Sequence, residues 1–174
     1  MTGKSFLNGV ARGETDVVAS LLSILERLDA EYCVIGGLGV NAYVDPVVSL
    51  DLDVVIASGS VEDVCREARS VGFHTERFEH SINLTARGSD LRIQLQTDPR
   101  YQAFISRQVS REILGYPMRV AALEDVFQGK LWAYLDEGRR RSKRQKDLAD
   151  IARLLESYPA LDRLLPAEVR GRLA

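Results

Sequence analysis

The sequence predicts an α/β (α+β) fold: a mixed β-sheet with helices packed on it and further helices at the C-terminal end. Three observations carry that prediction. Helical and extended hydrophobic periods alternate from Thr15 to Gly72. The period then becomes two on both sides of a Gly88-Ser89 turn, which describes an antiparallel hairpin rather than another parallel crossover. Two longer helical stretches follow, so helices and strands share one packed unit.

Taken in order, Thr15 is placed to cap a helix whose Val18, Leu21, Leu22, Leu25 and Leu28 recur at three- and four-residue spacing. An apolar strand follows over Tyr32 to Ile35. A short helix from about Leu38 is expected to end at Pro46, because proline brings no amide hydrogen. Ser49-Leu50-Asp51-Leu52-Asp53-Val54-Val55-Ile56 reads as the next strand. Ser60 and Asp63 resemble a capping box for a helix with Val61, Val64, Cys65, Ala68 and Val71 on one face, closed by Gly72. Ile82, Leu84 and Ala86 alternate before the turn, and Leu91, Ile93 and Leu95 after it. Asp98-Pro99 reads as a cap and first helical residue for a short helix over Tyr101 to Gln108. Strands near Ile113 and Met118 flank a Gly115-Tyr116-Pro117 turn. Helices from about Leu123 to Leu135 and Lys143 to Glu156 precede a weakly structured tail around Pro166.

A chain of 174 residues accommodates one domain, with a core over about residues 14–120 and a helical part over about 121–174. The apolar fraction of 45% and mean hydropathy of -0.11 describe an ordinary globular protein with no membrane span. No signal peptide is visible before Gly13, and the expected location is cytoplasmic. Two cysteines, Cys33 and Cys65, make no disulfide framework and read as core thiols. A formal net charge of -2 argues against wholesale polyanion binding. One local basic run, Arg139 to Lys146, stands apart.

The chemistry lies in the Tyr32 to Ala57 stretch. Strand side chains alternate faces, so Asp51 and Asp53 project from one side and Leu50, Leu52 and Val54 from the other. Two adjacent carboxylates repel unless a cation or cationic side chain lies between them, and such hard oxygen ligands suit Mg²⁺ held with substrate phosphates. Gly36 and Gly37 lack Cβ atoms and let a ligand approach the main chain. Lys130 falls inside the apolar stripe of Leu123, Val126, Phe127, Leu131 and Tyr134, where its ammonium could snorkel to the rim, neutralise Asp51 or Asp53, or bind a triphosphate. Cations in the first turn of the last long helix oppose its macrodipole, and bound phosphates would relieve Lys143, Arg144 and Lys146. His74 and His80 share no metal-binding spacing with one another and read as surface or strand residues.

Ile35-Gly36-Gly37 followed by Asp51-Leu52-Asp53-Val54 resembles the signature of the nucleotidyltransferase superfamily that includes DNA polymerase β. Lys130-Leu131-Trp132-Ala133 and Lys146-Asp147-Leu148-Ala149-Asp150-Ile151 are similar to the AbiEii-type toxin-antitoxin nucleotidyltransferases, so the resemblance spans roughly Tyr32 to Leu155. It implies a mixed sheet of the nucleotidyltransferase type. It also implies an Mg²⁺- or Mn²⁺-dependent transfer of a nucleoside monophosphate from a nucleoside triphosphate to a hydroxyl of protein or RNA, tRNA included, and an antitoxin partner. By the same resemblance, Asp51 and Asp53 hold the metal. Gly36, Gly37, Ser49, Lys130 and Lys146 bind the nucleotide, Lys130 also offsets developing charge, and Asp147 and Asp150 support it.

The chain departs from that pattern in Arg92-Ile93-Gln94-Leu95-Gln96. Active members use a third carboxylate here, and Gln94 occupies the equivalent position with no charge and no capacity to accept a proton. Asp98 could substitute, although its place before Pro99 suits a helix cap. The alternative reading is therefore a catalytically degenerate nucleotidyltransferase fold that binds nucleotides or a partner protein.

Overall fold

The structure is a computed structural model and describes residues 3–10 and 16–173. The elements run α1 (Gly3–Val10), α2 (Val17–Arg27), β1 (Tyr32–Ile35), α3 (Gly36–Val40), β2 (Asp51–Ile56), α4 (Val61–Ser70), β3 (Phe73–Arg77), β4 (Ser81–Ala86) and β5 (Arg92–Gln96). Short 3₁₀ segments precede α4 (Ser58–Ser60) and follow β5 (Pro99–Arg107); then come β6 (Val109–Ile113), β7 (Tyr116–Val120), α5 (Leu123–Leu135), α6 (Arg141–Ser157), a third 3₁₀ segment, Pro159–Leu164, and α7 (Ala167–Leu173).

The strands form one seven-stranded mixed sheet in the order β3-β4-β5-β2-β1-β7-β6. β2 runs antiparallel to β1 and parallel to β5, and β1 runs parallel to β7. Two registers position the site: Ile35 lies opposite Asp53, and Asp53 lies beside Gln94. The alternation buries Leu52, Val54, Ile93, Leu95, Ile82 and Leu84, leaving Asp51, Asp53, Arg92, Gln94 and Gln96 on the other face. The Pro99–Arg107 segment packs on β1 and β2, while α5 and α6 pack on each other and on α3. Cys33 and Cys65 are free and buried, and burial raises the Cys33 thiol pKa to about 12.

Local chemistry explains where elements begin and end. Thr15 lies outside the described residues; the cap of α2 is Asp16, whose carboxylate accepts from the Ala19 amide at 2.9 Å and from the Tyr116 hydroxyl at 2.9 Å. The helix after β1 starts at Gly36 and stops at Val40, well before Pro46, because the Asn41 side chain bonds both the carbonyl (2.7 Å) and the amide (3.0 Å) of Val47 and turns the chain there. Ser60 makes no side-chain cap, since its φ of -102° and ψ of -10° are already helical and a cap needs extended backbone. Val71 is 52% exposed, just before Gly72 (φ 98°) ends α4. The turn between β6 and β7 is Leu114-Gly115, both with positive φ, as a two-residue hairpin of primed type requires. The tail around Pro166 is structured, because Leu161, Leu165 and Val169 bury against the core. Among the described residues, no helix is long and apolar enough to cross a membrane.

Replacing Asp16 with alanine removes the α2 cap and the bond that its carboxylate accepts from the Tyr116 hydroxyl. Chemical denaturation is expected to show a loss of about 1–2 kcal/mol. A change within experimental error would mean that neither bond contributes net stability.

Candidate active site

Asp51 and Asp53 open into a cleft of about 380 Å³ floored by β2 and β5 and walled by α5, the start of α6 and the Pro99–Arg107 segment. Gly36, Gln94, Lys130 and Asp147 line the same cleft. The two carboxylates have different surroundings. Asp51 is held by Arg92, its register partner on β5, at 2.8 Å, and by Lys143 from α6 at 3.0 Å. Burial works against its charge, but the bonds from Lys143 and Arg92 prevail and hold its pKa below the ordinary value. Asp53 has no hydrogen-bond or ion-pair partner among the described residues. Burial raises its pKa; Lys130 pulls it back and the neighbouring Asp51 charge pushes it further up.

Gly36 is required by Asp53 itself. At a φ of 67°, a Cβ built there would lie 2.1 Å from Asp53 Oδ2, so the glycine makes room for the carboxylate. Gly37 faces Ser49 and does not line the cleft. Ser49 is buried, with its hydroxyl turned to the main chain of Asp51: it accepts from the amide at 3.3 Å and donates to the carbonyl at 3.2 Å.

Lys130 is 6% exposed, and its ammonium lies 2.9 Å from Asp147 and 2.8 Å from Asp150. Burial disfavours its charge, but the two carboxylates outweigh burial and raise its pKa. It therefore does not touch Asp51 or Asp53 directly. Arg139 joins Asp147 at 2.7 Å and Arg153 joins Asp150 at 2.9 Å. Three cations against two carboxylates leave one net positive charge in this network, and two of the cations, Lys130 and Arg139, act on Asp53.

The basic run is resolved residue by residue. Lys143 meets Asp51, Arg139 meets Asp147, and Arg144 donates to the Tyr134 carbonyl at 2.7 Å, at the end of α5. These contacts offset the charges of Lys143 and Arg144 at the start of α6. Arg140 lines the cleft, exposed and with no ion pair among the described residues. Lys146 is exposed and lies outside the cleft, because the inward stripe of α6 is taken by Lys143, Asp147 and Asp150. Asp98 is the cap its sequence context suggested: one oxygen accepts from the Arg100 amide at 3.0 Å and the other from the guanidinium at 2.7 Å. His80, read above as a surface or strand residue, sits at the cleft.

Among the described residues, no group of three or more His, Cys, Asp or Glu side chains is arranged to hold a metal. The unpartnered Asp53 carboxylate beside Asp51 nevertheless fits one hard cation that takes its remaining oxygens from a substrate and water. Gln94 is the neutral neighbour on β5.

The family described as "Nucleotidyl transferase AbiEii toxin, Type IV TA system" matches residues 24–173. No curated protein matches the sequence. Among solved structures, the antibiotic-resistance factor ANT(2'')-Ia superposes with a TM-score of 0.64 at 13% identity, covering 89% of this chain and 90% of that one. The lincosamide antibiotic adenylyltransferase LnuA gives 0.57 at 10% identity over 83% and 99%. An antigenic nucleotidyltransferase-like protein from Paracoccidioides brasiliensis gives 0.54 at 20% identity over 89% and 87%. At these identities the likeness is one of fold.

A carboxyl group with a raised pKa binds protons more readily in the folded chain, so its ionised form costs stability above that pKa. Asp53→Asn should therefore raise the melting temperature near neutral pH. The gain should shrink as pH falls through the raised Asp53 pKa and vanish below the ordinary carboxylate value of 3.8. Thermal unfolding at both ends of that window checks this; a pH-independent difference would mean the gain does not come from the charge.

Proposed function

Because the chain belongs to the AbiEii family of nucleotidyl transferase toxins of type IV toxin-antitoxin systems, we propose that it moves a nucleoside monophosphate from a nucleoside triphosphate to a hydroxyl on RNA or protein. The observation that carries this reading is the pair Asp51 and Asp53 side by side on β2, in a cleft whose other charged walls are mainly cationic. The pair would hold one Mg²⁺ or Mn²⁺ together with the triphosphate. When bound, that ion supplies Lewis-acid polarisation of the phosphoryl oxygens.

The chain's own residues divide the remaining work. Arg92, Arg140 and Lys143 bind the triphosphate, with Lys143 exchanging Asp51 for phosphate. The net positive charge centred on Lys130 offsets charge that develops at the α-phosphate. The acceptor oxygen attacks phosphorus in line, the bond to the β-phosphate oxygen breaks, and pyrophosphate leaves. Gln94 cannot take the acceptor proton, which passes to water. LnuA is by its description an antibiotic adenylyltransferase, so a small-molecule hydroxyl belongs among the acceptors tested. We place the reaction in the cytoplasm, opposed by an antitoxin partner.

A second reading, a nucleotide-binding or protein-interaction module without turnover, is favoured by Gln94, which stands beside Asp53 where a third carboxylate would complete the site. One experiment separates the two: incubation with each labelled triphosphate, Mg²⁺ or Mn²⁺, and total RNA or lysate, with Asp53→Ala as control. Label transferred by the wild type and lost in the variant supports the enzyme. Binding without transfer supports the module. Gln94→Asp should raise transfer about tenfold, which needs about 1.4 kcal/mol of transition-state stabilisation. Fast wild-type turnover that Gln94→Ala leaves intact would remove Gln94 from the account.

A further inference from the structure

The cleft has two chemically different ends. Arg92 and Gln96 bound its floor along β5, about 13 Å apart at about 3.3 Å per strand residue. The Arg92 end carries Asp51 and Lys143. The Gln96 end carries Tyr101, Trp132 and Arg100, which have no part in the phosphate chemistry described above.

These side chains form an ordered stack. The Trp132 ring lies parallel to Phe104, with centroids 5.6 Å apart and planes 8° from parallel, and Tyr101 meets Trp132 edge-on at 5.2 Å. The Arg100 guanidinium lies over the Trp132 ring, 5.0 Å from its centroid. Two bonds from Arg100 Nε (2.9 Å) and Nη2 (2.7 Å) to Asp98 Oδ2 fix its orientation, and the Gln96 side chain in turn accepts from the Asp98 amide at 3.0 Å. An arginine side chain still 58% exposed gains little stability from such bonds. What the arrangement does produce is a planar cation of fixed orientation, backed by an aromatic ring, at the wall of the cleft. The Trp132 indole N–H has no hydrogen-bond partner among the described residues and remains available as a donor. Guanidinium planes and aromatic rings are the surfaces on which nucleobases stack, with little dependence on base identity.

We propose that the Arg100–Trp132 stack is a nucleobase subsite, which takes the base of the nucleoside triphosphate or a base of a single-stranded RNA acceptor. This rests on the transferase reading for the presence of a nucleotide in the cleft. It adds where the base lies and predicts tolerance among bases.

Trp132 is the only tryptophan in the sequence, so its fluorescence reports directly on the stack. Wild-type protein is titrated in Mg²⁺ with a nucleoside triphosphate, with inorganic tripolyphosphate and with a short single-stranded RNA, and binding of the labelled triphosphate and RNA is measured in parallel by equilibrium dialysis. Quenching by the triphosphate and not by tripolyphosphate assigns the donor base; quenching by RNA alone assigns an acceptor base. Arg100→Gln should weaken binding of the quenching ligand about fivefold or more, the low end for loss of one base stack, and leave tripolyphosphate unaffected. Dialysis showing bound triphosphate or RNA, with emission and Arg100→Gln affinity both unchanged, would overturn the subsite and leave the transferase reading standing. Equal quenching by tripolyphosphate would also overturn it. Failure of every nucleotide and RNA to bind would overturn both.

Discussion

Two like charges on one face of one strand constrain much of this molecule. Asp51 and Asp53 cannot sit side by side in a partly buried cleft unless positive charge comes to them, and no cation lies nearby on their own strand. It comes from three later elements. Arg92 is brought by the parallel register of β5, Lys143 by the first turn of α6, and Lys130 by α5, where its ammonium is shared with Asp147 and Asp150. The site and the docking of the C-terminal helices are thus one electrostatic problem. Lys143 and Asp51 are 92 positions apart in sequence, and their contact ties α6 to the sheet.

The balance is incomplete in a way that matters for chemistry. Asp51 has two cationic partners and Asp53 has none, so the deeper carboxylate is the costlier one. Carboxylates in a protein cleft are normally paired or hydrogen-bonded, and half-buried Asp53 is an exception that calls for a physical explanation. Gly36 points the same way. A residue with a side chain there would need a strained φ and would displace the Asp53 carboxylate, so backbone geometry has been fitted to an acid that destabilises the unliganded fold.

Much of this was legible because it is periodic. The strand alternation put Asp51 and Asp53 together, and the helical stripe containing Lys130 exposed a charge in an apolar context before any partner was known. The partners were not legible, because register and helix docking are tertiary. Arg92 stands two residues before Gln94 on the same strand face, a signal visible once β5 is set beside β2. Lys146 looked equivalent to Lys143 in a basic run, and only the orientation of α6 separates them. β3 is not legible in the sequence, because only Phe73 of Phe73-His74-Thr75-Glu76-Arg77 is buried and the pattern reads as polar loop. The Arg100–Trp132 stack joins a 3₁₀ segment to a helix, a pairing no local pattern announces.

Gln94 belongs to the same electrostatic account. By register it lies between Asn83 on β4 and Asp53 on β2, and adjacent strands are about 4.8 Å apart. A carboxylate there would face the unpartnered Asp53 with a repulsion of order 3 kcal/mol at an effective dielectric near 20, before solvent screening. The network around Lys130 offers one surplus positive charge, and Arg92 and Lys143 are already engaged by Asp51. An amide at this position lines the cleft without adding a further negative charge beside Asp53. A neutral residue at position 94 therefore spares the half-buried Asp53 a second like-charged neighbour beside Asp51.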